Sequence, residues 1–240
     1  MDAAPAAVNS PWVTVLLRGE PESLQAWLER WDLRRAILCI SIIFAGAGLY
    51  GAAMGYWRAP LQGAFVAIKF PLIILLTTVG NALLNAMLAP LLGLNLGLRQ
   101  SFFAILMSFT IASAILGAFS PLLAFVIWNA PPLAAGAQQW RATYNSILLL
   151  QVVVIAFAGV AANLRLVQLL RRLSRDAAIA HRVLFAWLAG NFFFGSQLTW
   201  ILRPFIGSPG LPVEFVRQEA FHGNFYETVF QSLIYLITHN

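Results

Sequence analysis

Lysine is almost missing from this 240-residue chain: Lys69 stands alone against fourteen arginines. Cysteine is as scarce, with Cys39 the only one. Charge of either sign is thin, 10% of residues against about 25% in soluble proteins. Each shortage excludes something. A single cysteine forbids an intrachain disulfide and leaves no cysteine-rich metal site, so Cys39 reads as a small apolar filler. The sparse charge argues against a soluble domain. The motifs of familiar chemistry are missing too. There is no phosphate-loop or dinucleotide glycine pattern, and no serine sits in a nucleophile elbow. Glu219 and His222 form an ExxH pair with Glu227 nearby, but a metal site wants three or four ligands at workable spacing. The expectation is therefore no enzyme, no cofactor and no metal.

What the chain has instead is apolar sequence, 60% of its residues. Five segments are long enough to cross a bilayer: 36–56, 70–92, 102–127 with Pro121 near its end, 144–164 and 183–202. A crossing helix needs about 20 apolar residues. Helices are the default because every backbone amide must be bonded within the segment. The fold class expected is all-α, an integral membrane bundle of five transmembrane helices in contact with lipid. An N-terminal segment (1–35), the bundle (36–203) and a folded tail (204–240) divide the chain. No internal repeat is visible, and five spans do not divide into the equal halves of an inverted-repeat transporter.

The formal charge of +6 does not imply nucleic acid, because the arginines flank spans and form no basic face interleaved with aromatics. Their distribution sets orientation. The N-terminal segment and the loops 93–101 and 165–182 hold ten: Arg18, Arg30, Arg34, Arg35, Arg99, Arg165, Arg171, Arg172, Arg175 and Arg182. The opposite side holds five: Arg58, Lys69, Arg141, Arg203 and Arg217. The positive-inside rule then places the N-terminus in the cytoplasm and the tail outside. Arginine in place of lysine fits a GC-rich bacterial genome, so the membrane expected is a bacterial inner membrane and the tail is periplasmic. Ala45-Gly46-Ala47 resembles a small-residue cleavage site and Arg34-Arg35 hints at twin-arginine export. The long leader with its acidic start favours a retained span instead.

Ahead of that span, Leu24, Trp27, Leu28 and Trp31 recur at i, i+3, i+4 and i+7. This stripe marks an amphipathic helix that lies in the cytoplasmic interface or packs on the protein's own loops. Inside the spans no acidic residue occurs, and the basic residues are expected only at span edges, which lowers the case for a proton-coupled pump. Uncharged polar groups are present. Thr77, Asn81 and Asn85 share one helical face at i, i+4 and i+8, and the fifth span carries Asn191 and Gln197. Such groups bond across helices for about 0.6–2 kcal/mol each, or they line a polar path between spans two and five. Ala47, Gly51 and Gly55 are four apart, a small-residue face for close packing on a helix of this chain or of another.

The tail after Arg203 is broken by Pro204 and by the turn cluster 207–210. Pro212 is expected to open a short helix to Ala220. Asn224 with Glu227 makes a variant capping box for a second helix over 225–238. At 1.5 Å per residue that helix reaches about 21 Å, short of the roughly 30 Å core. It lies in the interface, enters part way or packs on the bundle. Arg203, Glu219, His222, Asn224 and Glu227 are the tail residues placed to dock it on the bundle or on a partner.

The five-span layout, the N-in and C-out threading, and Lys69-Phe70-Pro71 opening a span rich in small and polar residues together resemble the Yip1-like family of multi-pass membrane proteins. The likeness covers roughly 36–203. The Asp-Leu-Tyr-Gly-Pro-type element that precedes the spans in eukaryotic members is absent, and Leu49-Tyr50-Gly51 lies inside the first span. The GTPase-binding role of those members is therefore not implied, and no family residue carries over. The resemblance implies a bacterial multi-pass membrane protein. Two functions fit: a non-enzymatic assembly or scaffold component working with a membrane-protein partner or as a homo-oligomer, or a small-molecule transporter or lipid-handling protein.

Overall fold

The computed structural model describes residues 32–131, 137–174, 176–207 and 212–238. These residues form six helices and no strand: α1 (Leu33–Tyr56), α2 (Pro60–Leu91), α3 (Leu98–Trp128), α4 (Ala137–Leu173), α5 (Ala177–Ile201) and α6 (Phe225–Thr238). The first five are long and apolar enough to cross a membrane. The protein is thus an all-helical, multi-pass membrane protein in contact with lipid. The expected stripe of Leu24, Trp27, Leu28 and Trp31 lies outside the described residues.

Local signals start and stop the helices. Asp32 Oδ1 accepts from Arg34 N at 2.9 Å, and Asp176 Oδ1 from Ala178 N at 2.9 Å, each satisfying an otherwise orphaned amide. Pro60 occupies the first turn of α2, where its missing N–H costs nothing. α2 ends in a Schellman motif: Leu94 N donates to Ala89 O (2.9 Å) and Gly93 N to Pro90 O (3.1 Å). Gly93 supplies the positive φ of 95° that this ending requires.

Around the bundle the helices run α1, α2, α5, α4, α3 and back to α1, with α2 also touching α3 across the middle. The tightest packing joins α1 to α2 and α3. Ala47 is fully buried in the core. A Cβ at Gly51 would sit 2.7 Å from Val66 O, and one at Gly55 2.6 Å from Gln62 O. The partner of the small-residue face is therefore α2 of the same chain. Gly117 of α3 approaches α1 as closely, its Cβ position 2.8 Å from Gly46 Cα. Glycine is used here because only a bare backbone lets helices come this near.

Three expectations need correction. α2 begins at Pro60, ten residues before the expected span, so Lys69 is not at a span edge but inside a helix and fully buried. The helix starts early because Gly63 packs against α1 at the Ala52 carbonyl and because the polar groups of Gln62 and Lys69 find partners in the tail. Secondly, α4 runs to Leu173 and α5 starts at Ala177, so Arg165, Arg171 and Arg172 ride the end of α4 and Arg182 lies in α5, not in a loop. Hydropathy marks where lipid ends, and a helix can continue past it. Thirdly, the described part of 212–220 is extended and turned, not helical. Val213, Phe215 and Val216 are weak helix formers, and the Glu214 carbonyl bonds to Lys69 instead.

Candidate functional site

The polar face of α2 meets α5. Asn81 Nδ2 donates to the Trp187 carbonyl at 3.0 Å and to Asn191 Oδ1. Asn85 Nδ2 donates to Asn81 O at 2.8 Å and also reaches Asn81 Oδ1. Gly190 is where α5 makes room: a Cβ there would run into the Asn81 amide. Thr77, Asn81 and Asn85 are buried to 2% exposure or less. The seam is closed, with the Thr77 hydroxyl and Asn85 Oδ1 its two atoms without a partner. The structure thus brings together Thr77, Asn81, Asn85 and Asn191. It does not bring Gln197 to them: Gln197 Oε1 accepts from Phe225 N at 3.2 Å and so holds the first turn of α6.

At the opposite end from Asp32, the tail folds back as a cap. Gln62 Nε2 donates to Pro204 O (2.8 Å) and Phe205 O (2.9 Å). Lys69 Nζ donates to Pro204 O (3.1 Å) and Glu214 O (3.4 Å). The ammonium lies 5.1 Å from the Phe215 ring centroid and 5.9 Å from that of Phe65, and these two rings pack edge to face. A buried charge needs such partners. Lys69 and Gln62 are the functional residues that sequence reasoning missed. The available signal was the chain's one lysine set in an apolar run, an ionisable group whose presence in a span calls for a partner.

The other tail residues divide by role. Asn224 Oδ1 accepts from Glu227 N at 2.8 Å, the capping contact expected for α6. Glu227 Oε1 accepts from Gln231 Nε2 rather than returning to Asn224. The Tyr226 hydroxyl donates to Phe193 O at 2.9 Å and lies 2.7 Å from Ser196 Oγ, pinning α6 to α5. Glu219 and His222 sit in one turn, His222 N on Glu219 O at 3.1 Å. No three His, Cys, Asp or Glu side chains converge among the described residues.

Arg203 occupies the junction between bundle and cap. Its guanidinium lies 3.5 Å from the Trp200 ring centroid, and Nη1 donates to Trp200 O at 3.4 Å. Burial and the nearby Arg217 lower its pKa, against an opposing pull from Glu219. Three cavities meet there. The largest, about 1040 Å³, opens between α4, α5 and α6 and is walled by Val152, Ile155, Phe192, Trp200 and Val229. A second, about 450 Å³, lies between α4 and the cap and is lined by Tyr144, Gln151, Pro204 and Arg217. A third, also about 450 Å³, is within the cap, with Glu214, Gln218 and Glu219 beside both arginines. Arg203 lines all three.

The chain matches no protein-family model, and no curated protein or solved structure is significantly similar to it.

Proposed function

We propose that this protein is a non-enzymatic assembly component of a bacterial inner membrane, working through the cap on its outer face. The observation that carries this is the anchoring of the cap. Lys69 and Gln62, rooted in α2, clamp the carbonyls of Pro204, Phe205 and Glu214, so the cap is a preformed surface. Preformed surfaces recognise partners without an ordering cost. Phe221 stands out on it, 81% exposed, an aromatic of the kind that anchors interfaces. The transporter alternative loses support, because the Asn81 amide is spent on α5 and the Asn85 amide nitrogen on Asn81 within α2.

Orientation follows from the arginine distribution: N-terminus in the cytoplasm, cap in the periplasm. The Yip1-like resemblance remains a proposal of layout and supplies no functional residue.

Purification in mild detergent, with mass determination, tests the reading. The expected result is a stable complex, with a membrane-protein partner or a second copy, that Phe221→Ala dissociates. A monomer whose mass is indifferent to that substitution would overturn it. Single-cysteine labelling in a Cys39→Ala background tests the threading. Gln218→Cys should react from outside and Ala178→Cys should not; the reverse pattern would invert the topology.

A further inference from the structure

The cavities around Arg203 differ from the seam in carrying positive charge, and an amide N–H donor beside that charge is left over. Neither Arg203 nor Arg217 lies within ion-pair distance of a carboxylate among the described residues. Gln151, 5% exposed, lines the same chamber as both arginines, and its Nε2 has no partner. Two guanidiniums, of which Arg203 spends one N–H on Trp200 O, and one unspent amide donor thus share one space of about 450 Å³. Next to it, through Val152, Ile155, Arg203 and Phe205, which line both spaces, lies the 1040 Å³ chamber. Its walls are almost wholly apolar. Val152, Phe192 and Val229 are each more than half exposed, so it opens sideways, toward lipid.

We propose that this pair of chambers is a binding site for an anionic phospholipid, phosphate in the small chamber and acyl chains in the large one. The charge argument is direct. Two guanidiniums that line one chamber are stabilised by a shared anion, and arginine forks match phosphate geometry. Glu214 and Glu219 line the cap cavity with the arginines but not the small chamber, and neither carboxylate comes within ion-pair distance of them among the described residues. Gln151 adds a neutral donor, which an anion accepts and a buried amide needs. The apolar chamber selects the source: a free phosphate has no use for it, while a membrane lipid does. Its size lies at the upper end of the 300–1,000 Å³ or so typical of ligand sites. The site stands apart from the assembly reading, since lipid retention is measured without reference to any protein partner.

The test uses the full chain purified in mild detergent. Native mass spectrometry counts bound phospholipid after addition of phosphatidylglycerol or phosphatidylcholine. The expected result is saturable retention of phosphatidylglycerol in preference to phosphatidylcholine. Arg203→Gln and Arg217→Gln should each reduce that retention about tenfold, the worth of one charge-assisted contact. Arg217→Gln removes no side-chain hydrogen bond among the described residues, so it is expected to keep the fold even where the loss of Arg203 from Trp200 does not. Val152→Trp, which fills the large chamber, should lower retention as well. Equal retention of both lipids, or wild-type retention by Arg217→Gln, would overturn the proposal. Binding of inorganic phosphate that competes fully with phosphatidylglycerol at equal concentration would overturn the lipid source.

Discussion

α5 has two polar edges with opposite fates. On one, Asn191 and the Trp187 carbonyl meet Asn81 of α2 across Gly190, and the groups close on one another. On the other, Trp200 and the adjoining Arg203 face a lateral cavity with α4, and donors are left without acceptors. Composition does not separate these edges, for both look like polar residues on an apolar helix. Satisfaction does. A buried amide that has spent its hydrogen bonds on a neighbour is holding helices together. A guanidinium held over an aromatic ring and without a carboxylate at ion-pair distance among the described residues has capacity left for a ligand.

The comparison breaks most sharply at Gly190. Gly190→Val drives a side chain into the Asn81 amide, and overpacking of that kind costs about 1–3 kcal/mol or more. Loss of the folded bundle in denaturant titration is the expected result, and wild-type stability would mean the seam is loose. Lys69→Met comes next. It removes the donors to Pro204 and Glu214, and a lost buried charged donor costs about 1.5–3 kcal/mol. The cap should then become protease-sensitive in sealed vesicles while the five spans stay folded. Cleavage no faster than wild type would show that Gln62 alone suffices.

Asn81→Leu with Asn85→Leu should cost about 1–2 kcal/mol, on the scale of membrane interhelical hydrogen bonds. A folded double variant that loses only flux would restore the transporter reading. Ser196→Ala should loosen α6 by about 0.6 kcal/mol, visible as faster amide exchange over 225–231. The smallest expected effect is that of pH. The Arg203 pKa is lowered, but arginine remains protonated throughout the ordinary range. Phosphatidylglycerol retention should therefore be flat between about pH 6 and pH 9; a titration in that window would point to another group.

Much of the fold was legible residue by residue. The five apolar runs, the Asn224 cap of α6 and the shared face of Thr77, Asn81 and Asn85 follow from hydropathy, capping chemistry and the helical repeat. These are local rules. The beginning of α2 was not legible, because Pro60 to Lys69 lies in a helix whose polar side chains are satisfied 135 or more residues away. Gln197 looked like a member of the intramembrane set and turned out to serve α6. Its spacing from Asn191 could not show which neighbour it faces.

By itself the sequence determined that this chain is helical and crosses a membrane, since about 20 apolar residues in lipid leave the backbone no other way to bond. Only the tertiary structure decided which helix the glycines of α1 approach, which amides are spent, and that the one lysine closes a cap. Each depends on groups distant in sequence meeting in space, and local periodicity carries no record of where a folded chain will bring them.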